Sequence, residues 1–251
     1  MRGIILAAGM GQRLGRGLPK ALTQVGSRTI LEYQIEAFTA QGVNEIAIVT
    51  GYKDYLFKDL GFITFHNPEY QHSNMLRSLS YAFDWMTQPT LISYSDIVFS
   101  SSIIQQLKKN QSAITIGVDP HWWPRYSGRD HHPMTQAELV EVQDSGLVTS
   151  FGKRSLVKQP EVFAEFIGVF KVNEAGTNLL KKAYSALSQG AGQSRAQIYK
   201  WDNAYLTELF QHVVDTGGEV CASAVNGRWI EIDTLQDLEY AEESLKKNPL
   251  F

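Results

Sequence analysis

Gly3-Ile4-Ile5-Leu6-Ala7-Ala8-Gly9-Met10-Gly11-Gln12-Arg13 places an unbroken apolar run directly before two glycines. A run without polar alternation reads as a strand buried on both faces. Glycines after such a strand let the backbone turn sharply and bring N–H groups against a ligand. In open α/β sheets, ligands bind at this carboxyl end of the strands. Two known loops do not fit. A P-loop closes with Gly-Lys-Ser/Thr, which this turn lacks. A dinucleotide fingerprint needs a third glycine where this chain has Leu14, and an acid after the second strand where it has Thr50-Gly51. Gly9 and Gly11 alone are equally the makings of an ordinary tight turn.

Outward from this stretch, strands and helices alternate. Ile30, Leu31, Ile35 and Phe38 have helical spacing and stop near Gly42. Glu45–Thr50 is a second apolar run and Phe62–Phe65 a third; Ser73 is placed to cap a helix from Asn74 to Trp85. Leu91–Asp96, a helix over Ser102–Lys109 and the run Ala113–Val118 follow. This order predicts an α/β, doubly wound fold: a mostly parallel central sheet with helices on both faces. After Val118 the pattern changes. Asp119–Pro133 is a polar, aromatic-rich loop with His121, His131 and His132. Glu138–Val142 and Gly146–Phe151 alternate as antiparallel strands, a small antiparallel β element, and Phe163–Val172 is a further strand. Helices are expected over Glu174–Leu187 and Asn203–Asp215, strands over Glu219–Ala224 and Arg228–Ile232, and a last helix opens at Thr234. No Pro/Gly/Ser linker or repeat interrupts the chain, so residues 1–251 are expected to form one domain.

Composition narrows the classes. The 251 residues carry 23 Lys and Arg against 26 Asp and Glu, a formal charge of −3, which suits neither a generic nucleic-acid surface nor a broad polyanion site. No apolar run approaches the roughly 18 residues of a membrane span, and the short N-terminal run is too glycine-bound for a signal peptide. An aromatic content of 11% argues against disorder. The single cysteine, Cys221, cannot close an internal disulfide, which points to a reducing, cytoplasmic setting.

Any anion bound must therefore be gripped locally. Arg13, with Pro19-Lys20, adds two cations to the glycine turn, the combination that a triphosphate needs; its bland counterpart is a solvated basic loop. The longer pattern Leu6-Ala7-Ala8-Gly9-Met10-Gly11-Gln12-Arg13, then Leu18-Pro19-Lys20-Ala21-Leu22, resembles the signature of nucleotidyltransferases that join a nucleoside triphosphate to a phosphorylated small molecule. The resemblance implies a Rossmann-like nucleotidyltransferase fold, with residues 1–118 mainly nucleotide-binding and 119–251 mainly acceptor-binding. It implies that Arg13 and Lys20 contact the triphosphate and the attacking phosphate. It assigns Leu6, Ala7, Ala8, Gly9, Gly11 and Gln12 to the nucleotide, and Asp96 and Asp233 to a Mg²⁺ ion. Read without it, Asp96 and Asp233 are also placed to cap helices.

Four further segments are most similar to bacterial CTP:phosphocholine cytidylyltransferases: Ile30–Ile35, Asn74–Leu79, Trp201-Asp202-Asn203 and Glu231–Thr234. By that resemblance Asn74 and Ser78 help select the base, and Trp201 and Asp202 face the acceptor. A cationic acceptor needs aromatic faces and a carboxylate; Asp119 and Trp122 are further candidates, although Trp122 and Trp123 also read as a packed loop anchor. Two departures stand out. The stretch from Arg13 to Lys20 is short, which gives Arg16 a share in phosphate binding. The Asp119–Pro133 loop does not match, and without a nearby Cys or helical His pair its histidines do not read as a metal site.

The expected reaction is Mg²⁺-dependent transfer of a cytidylyl group from CTP to a phosphocholine-like or amine-bearing phosphate or phosphonate, with pyrophosphate leaving. The alternative is a sugar- or polyol-1-phosphate nucleotidyltransferase using CTP, UTP or GTP. A silent nucleotide-sensing domain is a third reading, opposed by the intact set Arg13, Lys20, Asp96 and Asp233. The sequence leaves the oligomeric state open, a homodimer included.

Overall fold

A computed structural model describes residues 1–153, 159–189, 204–225 and 228–250. The central strand β1 (Arg2–Ala7) alternates between two cores. Ile4 and Leu6 join a cluster with Leu76, Phe166, Phe170 and Phe210, whereas Ile5 and Ala7 join Phe38, Phe57, Phe99 and Ile104. Burial on both faces is why this strand carries no polar residue between Gly3 and Ala8.

In chain order, β2 (Gln24–Val25) and β3 (Arg28–Thr29) form a short hairpin before helix α1 (Ile30–Thr39). A capping box starts α1: the Thr29 hydroxyl accepts from the Glu32 N–H and the Glu32 carboxylate accepts from the Thr29 N–H. Next come β4 (Glu45–Thr50), β5 (Ile63–His66), α2 (Met75–Ser80), β6 (Thr90–Tyr94), β7 (Ile97–Phe99), α3 (Ser101–Lys109) and β8 (Ile114–Asp119). Then follow β9 (Leu139–Val142), β10 (Val148–Gly152), β11 (Ala164–Val172), α4 (Glu174–Ser188), α5 (Leu206–Asp215), β12 (Cys221–Ala224), β13 (Trp229–Glu231) and α6 (Leu235–Lys247).

The main sheet runs β10-β9-β11-β6-β1-β4-β5. β1 pairs in parallel with both β4 and β6, and β4 in parallel with β5. β11 runs antiparallel to β6, β9 and β8, and β12 lies parallel to β8. The fold is thus α/β with mostly parallel central strands, but the expected parallel run through Val118 ends at β6. The strand β8 pairs instead with the antiparallel β11, whose nine residues are all buried. Apolar runs of this kind do not distinguish a parallel from an antiparallel neighbour once both faces are covered.

Two local expectations are corrected. Asn74, not Ser73, caps the helix after β5: its side chain accepts from the Met75 N–H, while the Ser73 hydroxyl donates to the Glu69 carbonyl at 2.8 Å. That helix ends at Ser80 and resumes only as a 3₁₀ turn over Phe83–Trp85. The loop after β8 buries Trp122, Tyr126 and His132, in keeping with the reading of Trp122 as a packed anchor.

Among the described residues, no helix is long and apolar enough to cross a membrane.

Candidate active site

Leu14 builds the glycine loop from within. It packs against Val25, Ile30, Val98, Ile232 and Leu238, which leaves its neighbours Gln12 and Arg13 on the outside. Gly11 adopts φ +62°, and a side chain there would meet the Leu18 carbonyl at 3.2 Å and the Lys20 nitrogen at 3.3 Å. Only glycine lets the two ends of the loop approach in this way. Leu6 and Ala7 sit in the β1 ladder, so their backbone groups are largely occupied by β4 and β6. The Ala8 carbonyl accepts from the Tyr52 N–H at 3.0 Å. Arg16 is exposed between Gly15 and Gly17.

Four distant segments converge beyond this loop. The Lys20 ammonium donates to Asp96 Oδ2 at 3.0 Å and also to Asp233 Oδ1. Arg13 pairs with Asp233 Oδ2 at 2.6 Å and donates to Gln136 Oε1 at 2.8 Å. Burial alone would lower the Lys20 pKa, but the carboxylates of Asp96 and Asp233 outweigh it and hold the ammonium above its ordinary value. Burial opposes ionisation of Asp233 too, yet Lys20 and Arg13 keep its carboxyl below the usual range.

Pairing of β7 with β13 brings the two aspartates together. Ile97 opposes Glu231 in that antiparallel pair, and the Ile232 N–H donates to the Asp96 carbonyl at 2.7 Å. Gln34, fully buried on α1, clamps the turn that carries Asp96: its Nε2 donates to the Tyr94 carbonyl at 2.7 Å and to the Ile97 carbonyl at 2.6 Å. A lone glutamine in a helical pattern carries no sequence signal for such a role.

A second layer holds Asp233. Asp237, inside the capping box of α6, accepts from the Asp233 N–H at 3.1 Å and the Thr234 N–H at 2.9 Å. Its other oxygen accepts from Arg129 Nε at 2.8 Å, and Arg129 also donates to Glu231 at 3.2 Å. Burial opposes ionisation of Asp237 as well, but the neighbouring His132 imidazole and the Arg129 guanidinium hold its carboxyl far below the usual range. His132 lies 3.2 Å from Asp233 and 3.5 Å from Glu231. In sequence this loop offers Asp119 and Trp122 as candidates and gives Arg129 and His132 no role; those two reach the site because the buried Trp122 and Tyr126 anchor it.

Nearby, Tyr94 donates to Glu138 Oε2 at 3.1 Å. Burial pushes the Glu138 carboxyl up to about 7, against the pull of Lys153 and of the Tyr94 hydroxyl. Tyr126 donates to Glu165, whose second oxygen is buried without a hydrogen-bond partner, and burial raises that carboxyl well above its usual range.

The expected acceptor residues fare differently. Trp122 is 0% exposed and its indole donates to the Pro160 and Phe163 carbonyls, so it anchors the loop and presents no face to a ligand. Asp119 is 1% exposed and accepts from Arg125 at 2.8 Å and Trp229 at 2.9 Å, so its charge is spent inside the fold. Trp201 and Asp202 lie outside the described residues. For the base, Asn74 sits at the start of α2, but Ser78 is buried and accepts from Asn67 at 3.0 Å. Asn67 also bonds Ser73, and it organises this loop without having been singled out in the sequence.

Asp96 and Asp233 converge on one cation, Lys20, and offer hard oxygen donors, so they fit a divalent metal. Two cavities, of about 480 and 260 Å³, flank Trp229 and Tyr240; Arg13 and Lys20 do not line them, and they are not assigned to substrate.

Residues 3–159 match a family model described as the MobA-like NTP transferase domain. The CTP:phosphoglutamine cytidylyltransferase of Campylobacter jejuni is 32% identical over 95% of this chain and 98% of its own length. The choline-phosphate cytidylyltransferase of Streptococcus pneumoniae is 33% identical over 44% of this chain and 51% of that enzyme. The inositol-1-phosphate CTP transferase from T. maritima shares the fold, with a TM-score of 0.72 at 23% identity, over 98% of this chain and 96% of that one.

Proposed function

The chain belongs to the MobA-like NTP transferase family, and on that premise we propose that it transfers a cytidylyl group from CTP to a small amine- or amide-bearing phosphate or phosphonate, releasing pyrophosphate. One observation carries the chemistry: Lys20 is held between Asp96 and Asp233 while Arg13 grips the same Asp233. Two cations thus stand at the carboxyl end of the parallel strands, beside the glycine turn. CTP is favoured as donor, and an amide- or amine-bearing phosphate as acceptor, by the near full-length similarity to an enzyme named for CTP and phosphoglutamine.

The acceptor's own phosphate oxygen attacks the α-phosphorus in line. It is already an anion at neutral pH, so no protein nucleophile is needed. The protein's share is positioning and charge neutralisation. Lys20 neutralises charge on the attacking group. Arg13 releases Asp233 and, with the N–H groups of the Gly9–Gln12 turn, takes the departing pyrophosphate. Asp96 and Asp233 would hold Mg²⁺, which when bound supplies charge neutralisation at the α-phosphate.

A pyrophosphate-release assay with CTP, UTP, GTP and ATP tests this, run against phosphocholine, aminoalkyl phosphonates, phosphorylated amino acids and their amides, and sugar-1-phosphates. We expect turnover with CTP and a nitrogen-bearing acceptor, abolished by a chelator and restored by Mg²⁺. Turnover confined to sugar-1-phosphates, or none with any acceptor, overturns it.

A further inference from the structure

We propose that Lys53 is a positioning residue for the nucleotide: together with Tyr52 it latches the glycine loop, so that the turn carrying Arg13 is ordered before a triphosphate arrives. The identity of that ligand rests on the catalytic reading proposed above. The sheet puts the two segments side by side. Thr50 opposes Ala7 in the parallel β1–β4 pair, so Gly51-Tyr52-Lys53 leaves the sheet beside Ala8-Gly9. Gly51 makes the approach possible: a Cβ there would lie 2.6 Å from the Tyr70 Cβ and 2.8 Å from the Ala8 carbonyl. The Tyr52 N–H then donates to that carbonyl at 3.0 Å.

The far end of the loop is held by side chains. Lys53 Nζ donates to the Gly17 carbonyl at 2.7 Å, and the Tyr52 hydroxyl donates to the same carbonyl at 3.4 Å. A carbonyl has two lone pairs and accepts both. The Lys53 ammonium also lies 5.4 Å from the centre of the Tyr52 ring, within reach of cation–π attraction. Two consecutive residues thus fasten Ala8 and Gly17, the start and the end of the turn that holds Gly11, Gln12 and Arg13.

Lys53 does this from an unfavourable backbone. Among the described residues it is the one non-glycine with positive φ, at φ +48° and ψ +44°. Glycine and asparagine take this geometry most easily, so a lysine here serves through its side chain. The core-packed Leu14 pins the middle of the loop, which leaves the Gly15–Gly17 arm dependent on the latch. That arm carries the exposed Arg16 and leads into Leu18-Pro19-Lys20. Releasing it therefore loosens the approach of Leu18 and Lys20 to Gly11.

Limited trypsin digestion of the full chain reads the latch without turnover, since cleavage after Arg16 reports the population of the opened arm. Calorimetric titration with the triphosphate reads its consequence. In Lys53→Met, cleavage after Arg16 without nucleotide and the Kd of the triphosphate should each rise about threefold or more, as one lost hydrogen bond requires. At saturating CTP, kcat should change by less than about twofold, because the bound nucleotide closes the arm itself. Lys53→Arg keeps a donor and should restore both readouts. Lys53→Gly relieves the left-handed strain that Lys53→Met retains, so it should melt higher than Lys53→Met yet bind the triphosphate as weakly. Affinity that follows the melting temperature, cleavage unchanged in Lys53→Met, or faster cleavage with wild-type affinity overturns the latch. A wild-type protein that binds none of the four nucleoside triphosphates overturns the proposed nucleotidyl transfer, and cleavage after Arg16 still decides the hold of Lys53 on the loop.

Discussion

The Lys20 ammonium bonds Asp96 and Asp233 together, so a single side chain from the glycine loop joins two carboxylates that lie far apart in the chain. Removing it leaves both acids facing each other in a site where Asp233 is only 3% exposed. Lys20→Met is expected to lower kcat by about 100- to 1000-fold, the loss typical of one charge-stabilising donor. Steady-state pyrophosphate release measures it. A variant with kcat within about threefold of the wild type would show that Lys20 only ties the fold together.

The loop glycines are not equivalent. Gly11 and Gly15 both have positive φ, but only at Gly11 does a side chain meet backbone, at 3.2 and 3.3 Å. Gly15→Ala should cost about 1 kcal/mol, the conformational term alone. Gly11→Ala should cost more, about 2 kcal/mol or above, and should weaken nucleotide binding because Lys20 is displaced. Urea unfolding and nucleotide titration calorimetry check the pair; equal costs would refute the close-approach account.

Glu138 makes stability depend on pH. Its folded pKa is raised to about 7 by burial, so the folded state binds a proton that the unfolded state has already lost above the usual carboxylate range. The linkage sign follows: stability is full at low pH and is lost as pH rises from about 4.5 to about 7. Allowing for partial exposure, the loss is about 2 kcal/mol. Glu138→Gln can still accept from Tyr94 and should remove this slope, melting higher than the wild type at pH 8 and level with it at pH 5. Parallel melting curves across that range would sink the assignment.

Gly168 makes room for Tyr94. It sits at φ +77° where the β11 register shifts, and a Cβ there would lie 2.6 Å from the Tyr94 ring. Gly168→Ala should destabilise the protein by about 3 kcal/mol, since overpacking and left-handed strain both act. It should also break the Tyr94–Glu138 hydrogen bond. Tyr94→Phe removes that bond without the clash and should cost about 1 kcal/mol. A Gly168→Ala variant no less stable than Tyr94→Phe would contradict this packing.

What the residues determined by themselves was local. The unbroken run Gly3–Ala8 had to be a two-face strand because it contains nothing a solvent face requires. Gly9 and Gly11, placed directly after that strand, had to make a sharp turn, with Arg13 and Lys20 close behind it. Asp233-Thr234 had to start a helix, because hydroxyl and carboxylate side chains satisfy its free N–H groups. Which distant groups meet was decided only in three dimensions. The β7–β13 pairing carries Asp233 to Asp96, Gln34 clamps the Asp96 turn from a helix, and Trp122 and Tyr126 draw Arg129 and His132 inward. Trp122 and Asp119 bear the residue types of a cation-binding wall, yet burial turned them into anchors. Residue type sets what a side chain is able to do, whereas burial and the pairing of segments remote in sequence set what it meets.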